Sequence, residues 1–334
     1  MKYFGLLGYD FEFKQATNVG DYVQSLAAKR FVADKLASTL VNVNREKLNS
    51  LTVGQDVFMI LNGWFAHKVE SWPPSDELKP LFVSFHINNT VKDYFASKPE
   101  IINYFKKHEP IGCRDTATRD FLRSKNVDAY FSGCLTTTLN RSDWSDEPSS
   151  KNSGVLFIDI VQGKGDFGHL FRRADINLLG KIARLPKNML FKFKNIDCAQ
   201  LERQISKSIP EKKIKHLTTQ FPVSLSEPQR YALAESKLKQ YAEAELVITS
   251  RIHVALPCLA FGTSVIFVNP GMDTSRFPGL DSFFNMLYPE QIMEMSEQQL
   301  SDYIVNLKNK DEHVSYRNSL IEKCELEVAN YLAD

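Results

Sequence analysis

The stretch Glu245-Leu-Val-Ile-Thr-Ser-Arg-Ile-His-Val-Ala-Leu-Pro-Cys-Leu-Ala-Phe-Gly-Thr-Ser-Val-Ile-Phe-Val268 reads as strand, turn, helix, strand, with Arg251 and His253 at the turn. Leu246 to Ile248 is a short apolar run that ends at Thr249 and Ser250, both of residue types that cap helices. An apolar stripe at Val254, Cys258, Leu259 and Phe261 then continues to Gly262, which stops the helix, and Val265 to Val268 is the next buried strand. In a parallel α/β sheet, ligands bind where strands end and helices begin. A guanidinium and an imidazole two residues apart therefore add charge to an end of the helix that already favours anions. Spacing alone equally fits a surface ion pair at Arg251 and a satisfied core histidine at His253.

Working outward, the first half of the chain alternates in the same way. Strands are expected at Tyr3 to Gly8, Val57 to Leu61, Leu81 to Ile87, Ile111 to Cys113 and Ala129 to Ser132. Helices are expected from Asp21 to about Ala37, around Val91 to Lys107 and from Thr116 to Lys125. Arg141 to Ser153 is rich in Ser and Asp and reads as a linker. A second α/β series follows, with strands at Val155 to Ile160 and near Lys213 to Leu217 and an amphipathic helix over Ser226 to Ala244. The pattern predicts an α/β chain: an N-terminal domain (1–141), a linker (142–153), a C-terminal domain (154–295), and helices over 296–334 that pack back across the domains.

Composition sets limits. With 334 residues, 43% of them hydrophobic, the chain has enough apolar content for two domains of ~150 residues. A net charge of +1, with basic and acidic residues interspersed, offers no face for nucleic acid. The N-terminal apolar run, broken by Asp10 and Glu12, is too short for a signal peptide. No later run approaches ~18 apolar residues, so a cytoplasmic protein is expected. The five cysteines (Cys113, Cys134, Cys198, Cys258, Cys324) form no C-x-x-C pair and read as reduced thiols, and no ligand spacing points to a metal. The basic stretch around Phe171 to Lys194 fits either a solvated face or one that touches a membrane.

Other candidate groups stand at strand ends. Thr17-Asn-Val-Gly-Asp21 follows the first strand. Gly20 there permits close approach, and Asp21 is either a helix cap or a carboxylate acting as base or orienting a hydroxyl. Asn62 and Gly63 leave a buried strand just before Trp64 and Phe65, aromatics for a sugar ring or for the core. Period-two alternation puts Ser84 and His86 on one side of their strand and Phe85 and Ile87 on the other. Arg114 sits at a strand-to-helix corner, free to meet an anion or to pair with Asp115 or Asp120. Neither a G-x-G-x-x-G fingerprint nor a P-loop is present, Gly163-Lys-Gly165 being too short. The lack of a G-x-S-x-G elbow disfavours hydrolysis through a covalent intermediate.

Asn18-x-Gly-Asp21, Ile111-x-x-Arg-Asp115 and Leu246-Val-Ile-Thr-Ser-Arg-x-His253 with Pro257 and Gly262 together resemble the polysaccharide pyruvyl transferase family, over roughly residues 1 to 290. The resemblance implies two Rossmann-like domains facing across a cleft, as in GT-B glycosyltransferases. It also implies transfer of a pyruvyl group from phosphoenolpyruvate to a sugar, usually as a cyclic ketal, with no cofactor beyond that donor. By motif, Arg251 and His253 would bind the phosphoenolpyruvate anion with Arg114 assisting, while Asp21 and His86 line the same cleft. His253 is then the expected acid, Asp21 or His86 the expected base, and Asn18, Gly20, Ser250, Asn62 and Trp64 the expected substrate contacts. The acceptor would be a saccharide of exopolysaccharide or capsule assembly, lipid-linked or nucleotide-linked, handled in the cytoplasm or at the inner face of the membrane. Two departures are visible: Leu61-Asn-Gly-Trp64 replaces a glycine-rich run, and Ser132-Gly-Cys134 replaces Ser-Gly-Asp. The competing readings are a glycosyltransferase using a nucleotide sugar, with Glu243 or Glu245 on the ribose, and a catalytically inactive binding member.

Overall fold

The computed structural model describes residues 2–9, 16–33, 38–65, 68–145, 154–160, 198–222, 224–269 and 277–333. Two parallel sheets organise the chain. Strands β1 (Lys2–Gly8), β3 (Ser38–Asn44), β4 (Val57–Phe65), β5 (Leu78–Ile87), β6 (Ile111–Cys113) and β7 (Ala129–Phe131) form the first, in the order β3-β1-β4-β5-β6-β7. Strands β8 (Val155–Ile158), β9 (Ile214–Leu217), β11 (Leu246–Thr249), β12 (Ser264–Val268) and β13 (Asn285–Leu287) form the second, in the order β13-β12-β11-β8-β9. Between them, β2 (Ala16–Asn18) pairs antiparallel with β10 (Gln220–Pro222), tying the segment after β1 to the segment after β9. The central strands read as continuous apolar runs because sheets of this kind are covered on both faces; eight of the nine residues of β4 are buried.

Helices α1 (Gly20–Val32), α6 (Glu227–Glu243) and α7 (Ile252–Phe261) lie between the sheets. One face of the second sheet (Leu156, Ile158, Val247, Val265, Phe267) joins the core of the first through them. The opposite face (Val155, Phe157, Leu246, Ile248, Ile266, Val268) closes a smaller core with Leu201 and Ile205 of α5 (Cys198–Ser208), Ile292 of α8 (Pro289–Glu294) and Leu300 of α9 (Glu297–Val305). From Val254 to Phe261 every residue of α7 is buried, as expected of a helix that is apolar all round. Gly262 ends it at φ 71°, a left-handed conformation that costs glycine nothing.

Two expectations need correction. The helical pattern around Val91 to Lys107 is two helices, α2 (Lys92–Ala96) and α3 (Pro99–Lys107). Proline at 99 pushes Lys98 out of the helical region, to φ −116° and ψ 96°. The alternation expected across Ser84 to Ile87 runs in step over Phe85, His86 and Ile87, opposite Gly63, Trp64 and Phe65, but breaks at Ser84. Leu61 pairs with Phe82 but Gly63 with Phe85, so β5 carries one extra residue, and Ser84 takes a left-handed φ of 56°. Phe82 and Phe85, three residues apart, therefore both pack on Phe105, at 5.7 and 5.6 Å.

The tail folds as α9 and α10 (His313–Ala333). Tyr316 packs its ring on Phe131 and Phe283, and the Tyr331 hydroxyl reaches the carbonyls of Tyr3 (3.1 Å) and Asp56 (2.6 Å). Between the two sheets' segments, Arg141 at the start of the expected linker donates to the Phe261 carbonyl at 3.3 Å. The rest of the linker from 146, Gly163-Lys-Gly165 and the basic stretch from 171 to 194 lie outside the described residues. No described helix is long and apolar enough to cross a membrane.

Candidate functional site

Parallel strands collect their C-terminal ends on one edge of each sheet, the edge beyond which ligands bind. In the second sheet those ends lead into Asp159 after β8, Thr219 after β9, and Ser250 and Arg251 after β11. Thr249 and Ser250 do not cap α7 as expected. The helix starts at Ile252, so both hydroxyls precede the cap position and serve neighbours instead. Thr249 Oγ1 accepts from the Arg251 N–H at 3.0 Å, and Ser250 Oγ donates to the Asp159 carbonyl at 2.5 Å. Arg251 occupies the cap position, and no side chain among the described residues caps the helix there, an arrangement suited to an anion.

Asp159 holds this corner together. It sits at φ 45°, in the left-handed region that aspartate tolerates better than most residues. Its Oδ2 accepts from the Thr219 N–H (2.9 Å) and hydroxyl (2.5 Å) and lies 3.4 Å from Arg251 Nε. The first-sheet side then closes on it. The Val19 N–H donates to the Thr219 carbonyl at 2.8 Å, and Asn18 Oδ1 accepts from the Gly20 N–H at 2.7 Å. Gly20 lies so close to the imidazole that an added Cβ would come 3.0 Å from His253 Nδ1. Asn18, Gly20, Ser250, Arg251 and His253, far apart in sequence, thus form one cluster.

A second cluster surrounds His86 at the end of β5. His86 Nδ1 and Asp115 Oδ2 are 2.5 Å apart, and the other carboxylate oxygen of Asp115 caps α4 (Thr116–Arg123) by accepting from the Thr118 N–H at 2.8 Å. Arg114 Nε is 3.9 Å from Asp115 and Asp120 pairs with Arg119, so of the two expected carboxylates Arg114 faces Asp115. Burial and the Arg114 charge pull His86 down to about 4, so the ring is neutral near pH 7. Burial alone would raise Asp115. The bond and charge of His86, followed by Arg114, outweigh it and hold the carboxyl below its usual range. With Asp115 anionic and His86 neutral, the proton between them sits on Nδ1. Cys134, noted above as a departure from Ser-Gly-Asp, is a buried thiol 3.2 Å from the Thr136 hydroxyl, and burial pushes it up, away from the thiolate.

Asp21 and Trp64 belong to a third group, built on Arg45. Arg45 is buried, 3.5 Å from Asp21 and 3.0 Å from Glu46, with its guanidinium 4.8 Å from the Tyr9 ring and 5.9 Å from the Trp64 ring. Asp21 is in the first turn of α1 and is not its cap. Asn62 anchors that helix, its amide donating to the Gln24 carbonyl at 3.1 Å.

Residues 18–271, which span all three clusters, match the polysaccharide pyruvyl transferase family. The chain belongs to that family. Its membership supports a transferase acting on polysaccharide. An uncharacterised protein from Klebsiella pneumoniae subsp. pneumoniae NTUH-K2044 has a solved structure similar to it, at 13% identity and a TM-score of 0.45. The match covers 86% of this chain and 92% of that one. No curated protein matches.

Several residues of this pyruvyl transferase family member are placed by tertiary structure rather than by motif. Asp159 looked like part of a strand because isoleucines flank it; the one signal was a carboxylate at the end of an apolar run. Asp115 was legible as part of a motif and as a partner for Arg114, not as a partner for His86, and Arg45 gave no signal. The glycosyltransferase alternative loses its ribose ligand. Glu245 precedes β11, at the N-terminal edge of the sheet, and both its carboxylate oxygens bind Lys212 Nζ, at 2.8 and 3.0 Å. Glu243, 3.8 Å from Lys239, closes α6 before that same edge. A groove of about 640 Å³ beside Lys2, Asp56, Lys79 and Tyr331 is likewise at the N-terminal edge of the first sheet, away from these clusters.

Proposed function

We propose that the protein transfers the pyruvyl group of phosphoenolpyruvate to a saccharide, forming a pyruvate ketal and releasing phosphate. The observation that carries this reading is Arg251 and His253 at the start of α7, with Gly20 of the first-sheet side backed onto the imidazole. Phosphoenolpyruvate presents a carboxylate and a phosphate ester, and an arginine fork with helix N–H groups matches such an anion. The second sheet is then the donor side and the first the acceptor side of a GT-B-like pair, with Arg114 assisting at the anion.

In this reading His253 delivers a proton to the enol methylene carbon, leaving the adjacent carbon cationic. A sugar hydroxyl oxygen bonds that carbon while its proton passes to a base. The carbon–oxygen bond to phosphate then breaks as a second hydroxyl closes the ketal and gives up its own proton. Of the two candidate bases, Asp21 already faces Arg45 at 3.5 Å, whereas no described group hydrogen-bonds His86 Nε2, which favours His86. The acceptor belongs to an exopolysaccharide or capsule precursor, lipid-linked or nucleotide-linked, met in the cytoplasm or at the inner face of the membrane. The test is phosphate release from phosphoenolpyruvate with a panel of saccharide acceptors, read together with a mass increase of the acceptor. Release without any acceptor product contradicts the reading.

A further inference from the structure

We propose that Asp115 is a positioning residue, which locks His86 as the Nδ1–H tautomer and so presents Nε2 as the proton acceptor at the C-terminal edge of the first sheet. The proposal rests on the pyruvyl-transfer reading for its chemical purpose but on geometry for its substance. Asp115 is fully buried and His86 is 4% exposed, so neither ring nor carboxylate is free to turn. Each carboxylate oxygen is committed: Oδ1 to the Thr118 N–H at the start of α4, Oδ2 to His86 Nδ1 at 2.5 Å. A carboxylate has no proton to give, so the short bond requires the hydrogen on Nδ1 and leaves the Nε2 lone pair available.

The groups facing His86 agree on this state. Arg114 from the end of β6 and Lys92 from α2 oppose a positive charge on the ring, and Asp115 is the acid opposite it. Thr118 Oγ1, 3.3 Å from Nδ1, accepts from the Ile87 N–H and ties the ring to the strand that carries it. Two residues upstream, Ser84 adopts a left-handed backbone and buries a hydroxyl that has no hydrogen-bond partner among the described residues. Strain and an unmet polar group at one strand end are marks of a site held for use rather than for stability.

The imidazole nitrogens of the seven histidines, read by long-range nitrogen–proton correlation on protein labelled at histidine, test this directly, with His86→Gln assigning the signal. The expected wild-type result at pH 7 is a neutral His86 with a strongly downfield proton on Nδ1. In Asp115→Asn the side-chain oxygen still serves Thr118 and the amide donates to Nδ1, so His86 is expected to switch to the Nε2–H tautomer. An Nε2–H or doubly protonated His86 in the wild type overturns the proposal, as does an unchanged tautomer in Asp115→Asn. The wild-type spectrum decides on its own if a variant fails to fold. A thermal shift with phosphoenolpyruvate, run on the same samples, keeps the readings apart. It is expected to persist in Asp115→Asn; its absence in the wild type counts against pyruvyl transfer and leaves the tautomer result standing.

Discussion

Adding one methyl group at Gly20 tests whether the two halves of the proposed donor site depend on each other. A Cβ there would lie 2.9 Å from Asn18 Oδ1, 3.0 Å from His253 Nδ1 and 3.1 Å from His253 Cβ. Contacts between non-bonded heavy atoms settle near about 3.5–4.0 Å, so the imidazole and the Asn18 amide must retreat by about 0.5 Å. Gly20 is not among the glycines with positive φ, so alanine adds no backbone strain. Overpacking costs about 1–3 kcal/mol and alanine's better helix propensity returns up to about 1 kcal/mol, for a net loss of about 0–3 kcal/mol. The functional cost is of similar size but is read separately, at the ligand. A misplacement of about 1 Å is worth about 100-fold at a reacting centre, so a shift half as large is worth about 10-fold. The assay is a phosphoenolpyruvate titration of Gly20→Ala followed by thermal shift, beside urea unfolding of the unliganded protein. A variant that binds phosphoenolpyruvate as tightly as the wild type would refute the idea that Gly20 sets the position of His253.

Other expectations follow from the remaining clusters. His86 falls to about 4 in the folded state from about 6.5 unfolded, so the unfolded chain binds the proton first on acidification. Stability present above pH 6.5 is then lost as pH falls toward 4, by at most about 1.4 kcal/mol per pH unit, and His86→Gln is expected to flatten that slope in urea titrations between pH 6.5 and 5. An unchanged slope would count against a neutral buried ring. Arg45→Met strands the buried Glu46 and is expected to cost about 3–5 kcal/mol by chemical unfolding. Asp21→Asn, which leaves Arg45 its bond to Glu46, is expected to cost about 1 kcal/mol or less; equal losses would show that Asp21 is the main partner. Ser84→Gly removes a left-handed side chain and a hydroxyl with no hydrogen-bond partner among the described residues. It is expected to leave the urea midpoint unchanged or raise it by the equivalent of about 1 kcal/mol, whereas a marked loss would mean that the bulge relies on the serine.

The strands that were legible in sequence are the ones buried on both faces. Ile111–Cys113 appears with the expected bounds, and Leu246–Thr249 and Ser264–Val268 differ by one residue, because a continuous apolar run between polar turns has few other ways to fold. The extra residue in β5 was hidden, since it depends on how many residues the neighbouring strand offers between two pairing points. The pairing of β2 with β10 joins three-residue segments about 200 positions apart, and nothing in either segment names the other. At the candidate site, Arg251 and His253 were legible because charge at a strand-to-helix turn is unusual in an apolar frame. Asp159, Arg45 and the His86–Asp115 bond were not, because each owes its role to groups brought in from other elements.

The most direct test of the account is the thermal shift of the purified protein with phosphoenolpyruvate, run beside nucleotide sugars and inorganic phosphate and repeated on Arg251→Ala. A ligand that binds only the folded state adds about 2.7 kcal/mol at about 100 times its dissociation constant, a readily measured shift. The expected result is stabilisation by phosphoenolpyruvate that is lost in Arg251→Ala. Stabilisation by a nucleotide sugar alone, or a phosphoenolpyruvate shift that survives the loss of Arg251, would contradict the assignment of the donor site.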